Sequence, residues 1–141
     1  MRQPLQVTAV DVSGRAVLIE GEPGTGKSSL ALALIDRGAR LIGDDGVLLE
    51  ERQGCLYVSP HPNTRGLIEV RNLGILTLPI CEESRVALAI RLDRQAPRFI
   101  EGAGHAERLA VSLPFVAMWP DSPVLAIRAE LALATYGLRF D

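Results

Sequence analysis

The sequence predicts an α/β domain, a P-loop-containing mixed β-sheet with flanking helices that takes in residues 1–141 as a single unit. Three observations lead there. The stretch Gly21 to Ser28 matches G-x-x-x-x-G-K-[ST] in full. An apolar run precedes it and a strong helix former follows it, the setting such a loop requires. The rest of the chain is a series of short apolar runs divided by turn residues, which gives more hairpins than an ordinary parallel sheet.

The elements follow in order. Leu5 to Asp11 alternates loosely and reads as a strand, Ser13-Gly14 as a turn, and Ala16 to Ile19 as a short buried strand. Ser28 to Arg37 is rich in Leu and Ala and predicts a helix, with Gly38 as its stop. Arg40-Leu41-Ile42 begins a strand that ends at Gly43-Asp44-Asp45. Val47 to Glu51 and Cys55 to Val58 form a hairpin about Gln53-Gly54. Ser59 to Gly66, with two prolines, is loop. Leu67 to Val70 and Gly74 to Leu78 are short strands around Asn72. Val86 to Leu92 is a strand and Gln95 to His105 a loop. Ala110 to Met118 is a strand broken near Pro114, and Val124 to Leu133 a final helix.

Composition narrows the function. Apolar residues make up 48% and charged residues 23% of the chain, so a globular core is expected. The net charge is −2 and the basic residues are scattered, which argues against nucleic acid or an anionic membrane as partner. No apolar run approaches the roughly 20 residues that span a bilayer, and the first residues lack a signal peptide's apolar core. The expected location is the cytoplasm, with Cys55 and Cys81 as free thiols. His61 and His105 fall in loop-like sequence without a metal partner at ligand spacing, and Trp119 reads as packing. The arginines after Ser84 read as a solvated strand face.

The phosphate loop carries the chemistry. Fourteen of the 15 basic residues are arginine, and the one lysine, Lys27, sits in this motif. Its ammonium is a compact point charge suited to a tight phosphate loop. Gly21, Glu22, Pro23, Gly24, Thr25, Gly26, Lys27, Ser28 and Ser29 are the candidate nucleotide-binding residues. Glycines let the backbone wrap and aim N–H groups at phosphate oxygens, and the helix N-terminus favours the anion. Lys27 would reach the β- and γ-phosphates, and the Ser28 hydroxyl would hold Mg²⁺, so ATP and Mg²⁺ are the expected cofactors.

Asp44 and Asp45 end the strand after the loop's helix, on the rim the phosphate loop shares in an open α/β sheet. Two carboxylates there bind a metal or take a proton from an attacking hydroxyl. Asp-Asp-Gly is equally good turn chemistry, and the residues alone leave both readings open.

At this point the chain resembles the HPr kinase/phosphorylase family. The resemblance rests on Gly14 through the P-loop, on Leu32 through Asp45, and on Gly66-Leu67-Ile68-Glu69-Val70-Arg71-Asn72-Leu73-Gly74-Ile75, which is similar to that family's second signature. It is clear to about Pro79 and weaker to the end, and it suggests a short, alphaproteobacterial-type form with the C-terminal catalytic domain alone. It implies the fold of that domain, related to the PEP carboxykinase fold. It implies an ATP-dependent protein kinase acting on a serine of an HPr-type phosphocarrier of a phosphotransferase system, with reversal by phosphorolysis to pyrophosphate. It implies Asp44 as base, and as acid in reverse, with Asp45 in support and Lys27 on the phosphates. Glu69 would join Ser28 around Mg²⁺, and Arg71 and Arg128 would contact phosphate or substrate. A homo-oligomer, hexameric in the larger relatives, is also implied. By itself Glu69 reads only as a solvated strand residue.

Two positions depart from the family. Gln6, with Thr8 nearby, stands where a histidine is usual, and glutamine cannot titrate. Asn72 stands where a glycine is usual, and asparagine tolerates positive φ. Two competing readings remain: a non-catalytic ATP-binding sensor that acts through a protein partner, and a small-molecule kinase of another P-loop group.

Overall fold

The computed structural model describes residues 1–140. Its frame is one large curled mixed sheet with two helices on one face, the α/β class read from the sequence. The strands are β1 (Arg2–Leu5), β2 (Thr8–Val12), β3 (Arg15–Gly21), β4 (Arg40–Gly43), β5 (Val47–Arg52), β6 (Cys55–Pro60), β9 (Ser84–Leu92), β10 (Gly104–Arg108) and β11 (Val111–Met118). Their order is β1-β5-β6-β9-β3-β2-β4, with β11 also on β9 and β10 beyond it. The β3–β9 and β9–β11 pairings are parallel and the others antiparallel. A hairpin of β7 (Leu67–Val70) and β8 (Gly74–Thr77) forms a second, two-stranded sheet.

Alternation along the central strands builds two cores. On β3, Val17 and Ile19 face the helices α1 (Lys27–Asp36) and α2 (Leu125–Tyr136), packing with Leu30, Leu34, Ala129 and Leu133. Ala16 and Leu18 face the other way, onto Val47, Leu49, Leu56 and Val58 of the curled β5–β6 hairpin. The β3–β9 register shifts at Ala16/Val17, where Ala87 is extra on β9, and the Ala87 carbonyl accepts from Leu138 N–H (2.9 Å). Helix α1 closes as expected, with Gly38 at φ 111° and Ala39 N–H on Leu34 O (3.0 Å).

Four expectations change. The strand read over Leu5 to Asp11 is two, β1 pairing with β5 and β2 with β3 and β4; the chain crosses between them at Gln6-Val7. The loop read over Gln95 to His105 ends in the polar, exposed strand β10, which exists because β11 offers it an edge. Pro114 does not break β11: pairing with β9 begins only at Phe115, so the missing N–H falls on an edge. The arginines after Ser84 are not simply solvated: Arg91 pairs with Glu22, Arg85 lies over Phe140, and Arg108 pairs with Glu20.

No helix among the described residues is long and apolar enough to cross a membrane. Both cysteines are free thiols. The Trp119 indole donates to Ala96 O (2.6 Å), a packing role.

Candidate phosphate-binding active site

The apolar strand β3 carries the chain through the core and releases it at Gly21, and α1 begins at Lys27, so Gly21–Gly26 bridges strand and helix at the sheet rim. Gly26 is the helix N-cap, in a left-handed conformation (φ 101°), and no side chain caps it. The first N–H groups of α1 therefore remain available to an anion. Thr25 Oγ1 donates to Glu22 O (2.8 Å) and ties the loop to itself. Glu20, directly before the loop and nearly buried, receives both arms of Arg108 at 3.0 and 2.6 Å, a bidentate pair that fixes the end of β3.

Lys27 Nζ donates to Gly21 O (3.2 Å) and lies 3.7 Å from Asp45 Oδ1. Ser28 Oγ donates to Asp44 Oδ1 at 2.6 Å. Thr8 Oγ1, on β2 and fully buried, donates to the same oxygen at 3.1 Å. Asp44 Oδ2 accepts the backbone N–H of Glu69 on β7 at 3.1 Å. The Asp44 carboxylate is thus held by three donors from three elements, and its position is determined to within a hydrogen bond's tolerance.

The turn that presents the two aspartates depends on close packing. A Cβ on Gly43 would lie 2.4 Å from Gly46 O, so only glycine admits the fold-back after β4. Asp45 takes a left-handed conformation (φ 58°), uncommon for a residue with a side chain, and its N–H is held by Thr8 Oγ1 at 3.2 Å. The Asp-Asp-Gly segment is therefore a turn, and it places both aspartates on the wall of the cavity beside the phosphate loop.

These groups line a cavity of about 550 Å³. The loop, Lys27, Ser28 and Ser29 form one wall; Thr8, Asp44 and Asp45 another; Glu69, Arg71 and Ile75 of the hairpin the third. Gln6 lines it as well, in the crossing between β1 and β2. Asn72 has φ 73°, the left-handed conformation that a glycine or asparagine tolerates there. Arg65, at the entry to the hairpin, is hydrogen-bonded to Glu82, and this guanidinium holds the Glu82 carboxyl below the usual glutamate range.

Arg128 is not in this cavity. On α2 it falls in phase with Leu131 and Thr135, which face a separate cavity of about 340 Å³ beside Trp119 and Tyr136. The helix buries Leu125, Ala126 and Ala129 instead, and the structure does not bring Arg128 together with Lys27, Asp44 and Arg71 around the loop. His61 Nδ1 accepts from Asn63 N–H (3.1 Å) and starts a short 3₁₀ turn, and His105 is exposed on β10. Sequence reasoning passed over the contribution of Thr8; the available signal was a hydroxyl in an otherwise apolar strand, a buried polar group that needs a partner.

The donors fit a hard cation. Ser28 and Glu69, the candidate metal residues, both line the cavity and both offer oxygen donors. No group of three or more His, Cys, Asp or Glu side chains able to hold a metal occurs among the described residues.

Comparison with known proteins places this geometry. The profile of the HPr Serine kinase C-terminal domain matches residues 2–105, well over half of the chain. An HPr kinase/phosphorylase of Clostridium tetani is 51% identical over 70 residues, which is 50% of this chain and 23% of that protein. One from Clostridium botulinum is 43% identical over 91 residues, 60% of this chain and 30% of the relative. The chain thus spans less than a third of the length of these relatives. The solved structure of the Hpr(Ser) kinase/phosphatase from Coxiella burnetii superposes with a TM-score of 0.82 at 25% identity, covering 94% of both chains.

Proposed function

The chain belongs to the HPr serine kinase C-terminal domain family, and on that premise we propose that it transfers the γ-phosphoryl group of ATP to a serine of an HPr-type phosphocarrier protein. The observation that carries this reading is the 2.6 Å hydrogen bond from Ser28 to Asp44. It joins the phosphate loop to a carboxylate that a substrate hydroxyl can reach across the cavity.

The roles follow from position. The N–H groups at the start of α1 and the Lys27 ammonium hold and neutralise the phosphates. Asp44 takes the serine proton as the hydroxyl oxygen attacks phosphorus and the bond to the β-phosphate oxygen breaks. Asp45, 3.7 Å from Lys27, keeps that ammonium over the loop. Ser28 and Glu69 would hold Mg²⁺, which when bound would supply positive charge against that building on the transferred group. Arg71, on the cavity wall, is placed to meet phosphate or the protein substrate. Reversal by phosphorolysis would use the same carboxyl as acid, with Gln6 offering hydrogen bonds and no second titrating group. A homo-oligomer is the assembly state proposed, and the exposed Leu73 and Ile75 beside the cavity are apolar surface free for such contact.

The test mixes the protein with γ-labelled ATP, Mg²⁺ and the HPr-type carrier of the same organism and follows label on the carrier serine. Transfer should vanish in Lys27→Ala. In Asp44→Asn it should fall by about 100-fold or more while ATP still binds, the scale of losing a general base. Transfer at the wild-type rate in Asp44→Asn overturns the assignment of the base. ATP binding without transfer to any carrier in the wild type would favour a nucleotide sensor.

A further inference from the structure

We infer that a second cavity, on the α2 side of the phosphate loop, takes the ribose and base of the nucleotide. This rests on the nucleotide reading above. The cavity measures about 350 Å³, at the lower end of small-molecule sites. It shares Gly24, Gly26, Ser29 and Arg71 with the phosphate-side cavity, so the two are contiguous around the loop.

Their linings differ as the two ends of a nucleotide differ. The phosphate-side cavity holds Lys27 and the carboxylates Asp44, Asp45 and Glu69, the groups suited to phosphoryl transfer. The second has none of these four. Its walls are buried Leu30 of α1 and Leu125 and Ala126 of α2, with the polar groups Arg71, Arg94 and Asp121 in addition. A nucleoside asks for that combination of apolar faces for the planar base and a few polar groups for the ribose hydroxyls. Guanidinium planes also stack on aromatic rings.

Direction along the nucleotide agrees. The terminal phosphate must lie towards Asp44, where its acceptor is activated. The rest of the chain therefore leaves the loop away from Asp44, and the second cavity opens there. Its outer wall is preformed: Pro120 and Pro123 fix φ at two positions of the segment entering α2, and Arg94 Nε binds Asp121 at 3.0 Å.

The experiment measures equilibrium binding of ATP and of inorganic tripolyphosphate, each with Mg²⁺, to the full chain and to Ala33→Trp. Ala33 lines the second cavity only and is exposed, so the indole fills the space without entering the core. Wild type should bind ATP more tightly than tripolyphosphate. Ala33→Trp should weaken ATP by about tenfold, towards the tripolyphosphate value, and leave tripolyphosphate unchanged. Equal ATP affinity in variant and wild type overturns the nucleoside site while the phosphate loop stands. So does a wild type that binds both ligands equally. A wild type that binds neither removes the phosphate-loop reading itself. If the indole abolishes both affinities, Arg94→Ala decides by the same comparison: selective loss of ATP affinity supports the site, and no change overturns it.

Discussion

The phosphate loop hangs between β3 and α1, two elements of the main core, whereas the β7–β8 hairpin reaches the same cavity from a sheet of its own. The loop's internal contacts are local: Thr25 to Glu22, Leu30 to Gly26, Lys27 to Gly21. The hairpin is anchored to the helix-side core by fully buried Ile68, while Leu67, Glu69 and all of β8 are exposed. Its one hydrogen bond across the cavity to Asp44 comes from backbone, the N–H of Glu69. The difference teaches that the two walls of the cavity are anchored independently, so each can be perturbed without the other. The loop is set by the sheet, and the hairpin's contribution depends on one buried side chain and one turn.

Perturbations of decreasing size sharpen that contrast. Asp44→Asn strikes where the two regions meet and should show the largest effect, the transfer loss described above with ATP binding kept. Ile68→Ala should cost about 2–5 kcal/mol in urea unfolding, the range for truncating a buried isoleucine. It should also speed amide exchange at Glu69 more than at Leu30, whose N–H is held by Gly26 O within the loop region. Equal exchange at both would show that the hairpin is no less firmly held than the loop.

Asn72→Val is smaller. It places a β-branched residue at φ 73° in the hairpin turn and should destabilise by about 1–2 kcal/mol, whereas Asn72→Gly should be nearly neutral. A neutral valine would mean that the turn rearranges. The smallest effect belongs to the exposed Arg65–Glu82 pair. Because Glu82 titrates below its ordinary value in the folded protein, its contribution is complete above the unfolded carboxyl's pKa and is lost as pH falls through the folded one. Glu82→Gln should therefore leave neutral-pH stability only slightly lower and erase that small acid-side slope. Unchanged acid-side behaviour would show that the pair adds nothing.

Legibility tracked distance along the chain. The phosphate loop and its helix could be read because strand, glycines, lysine and helix former follow one another without interruption. Asp44 could be placed on the same rim because it ends the next strand. Thr8 and the Glu69 N–H meet Asp44 across 36 and 25 residues, and nothing local announces such pairings. Gln6 reaches the cavity only because the chain crosses there between two parts of the sheet. Arg128 illustrates the converse: the family resemblance grouped it with Arg71 as a phosphate or substrate contact, and the phase of α2 sends it to another cavity. Strand β10, polar and exposed, is a strand only because β11 has an edge to fill.

By itself, then, the sequence determined the α/β class, the phosphate loop, the helix behind it and the acidic turn, because each is specified by residues within a few turns of backbone. Tertiary structure decided the rest. It curled the sheet into two cores, brought a separate hairpin over the loop, chose which arginines meet carboxylates, and held Asp44 by three donors. Those outcomes depend on strand pairing and helix phase across long separations, which residue type and local periodicity do not encode.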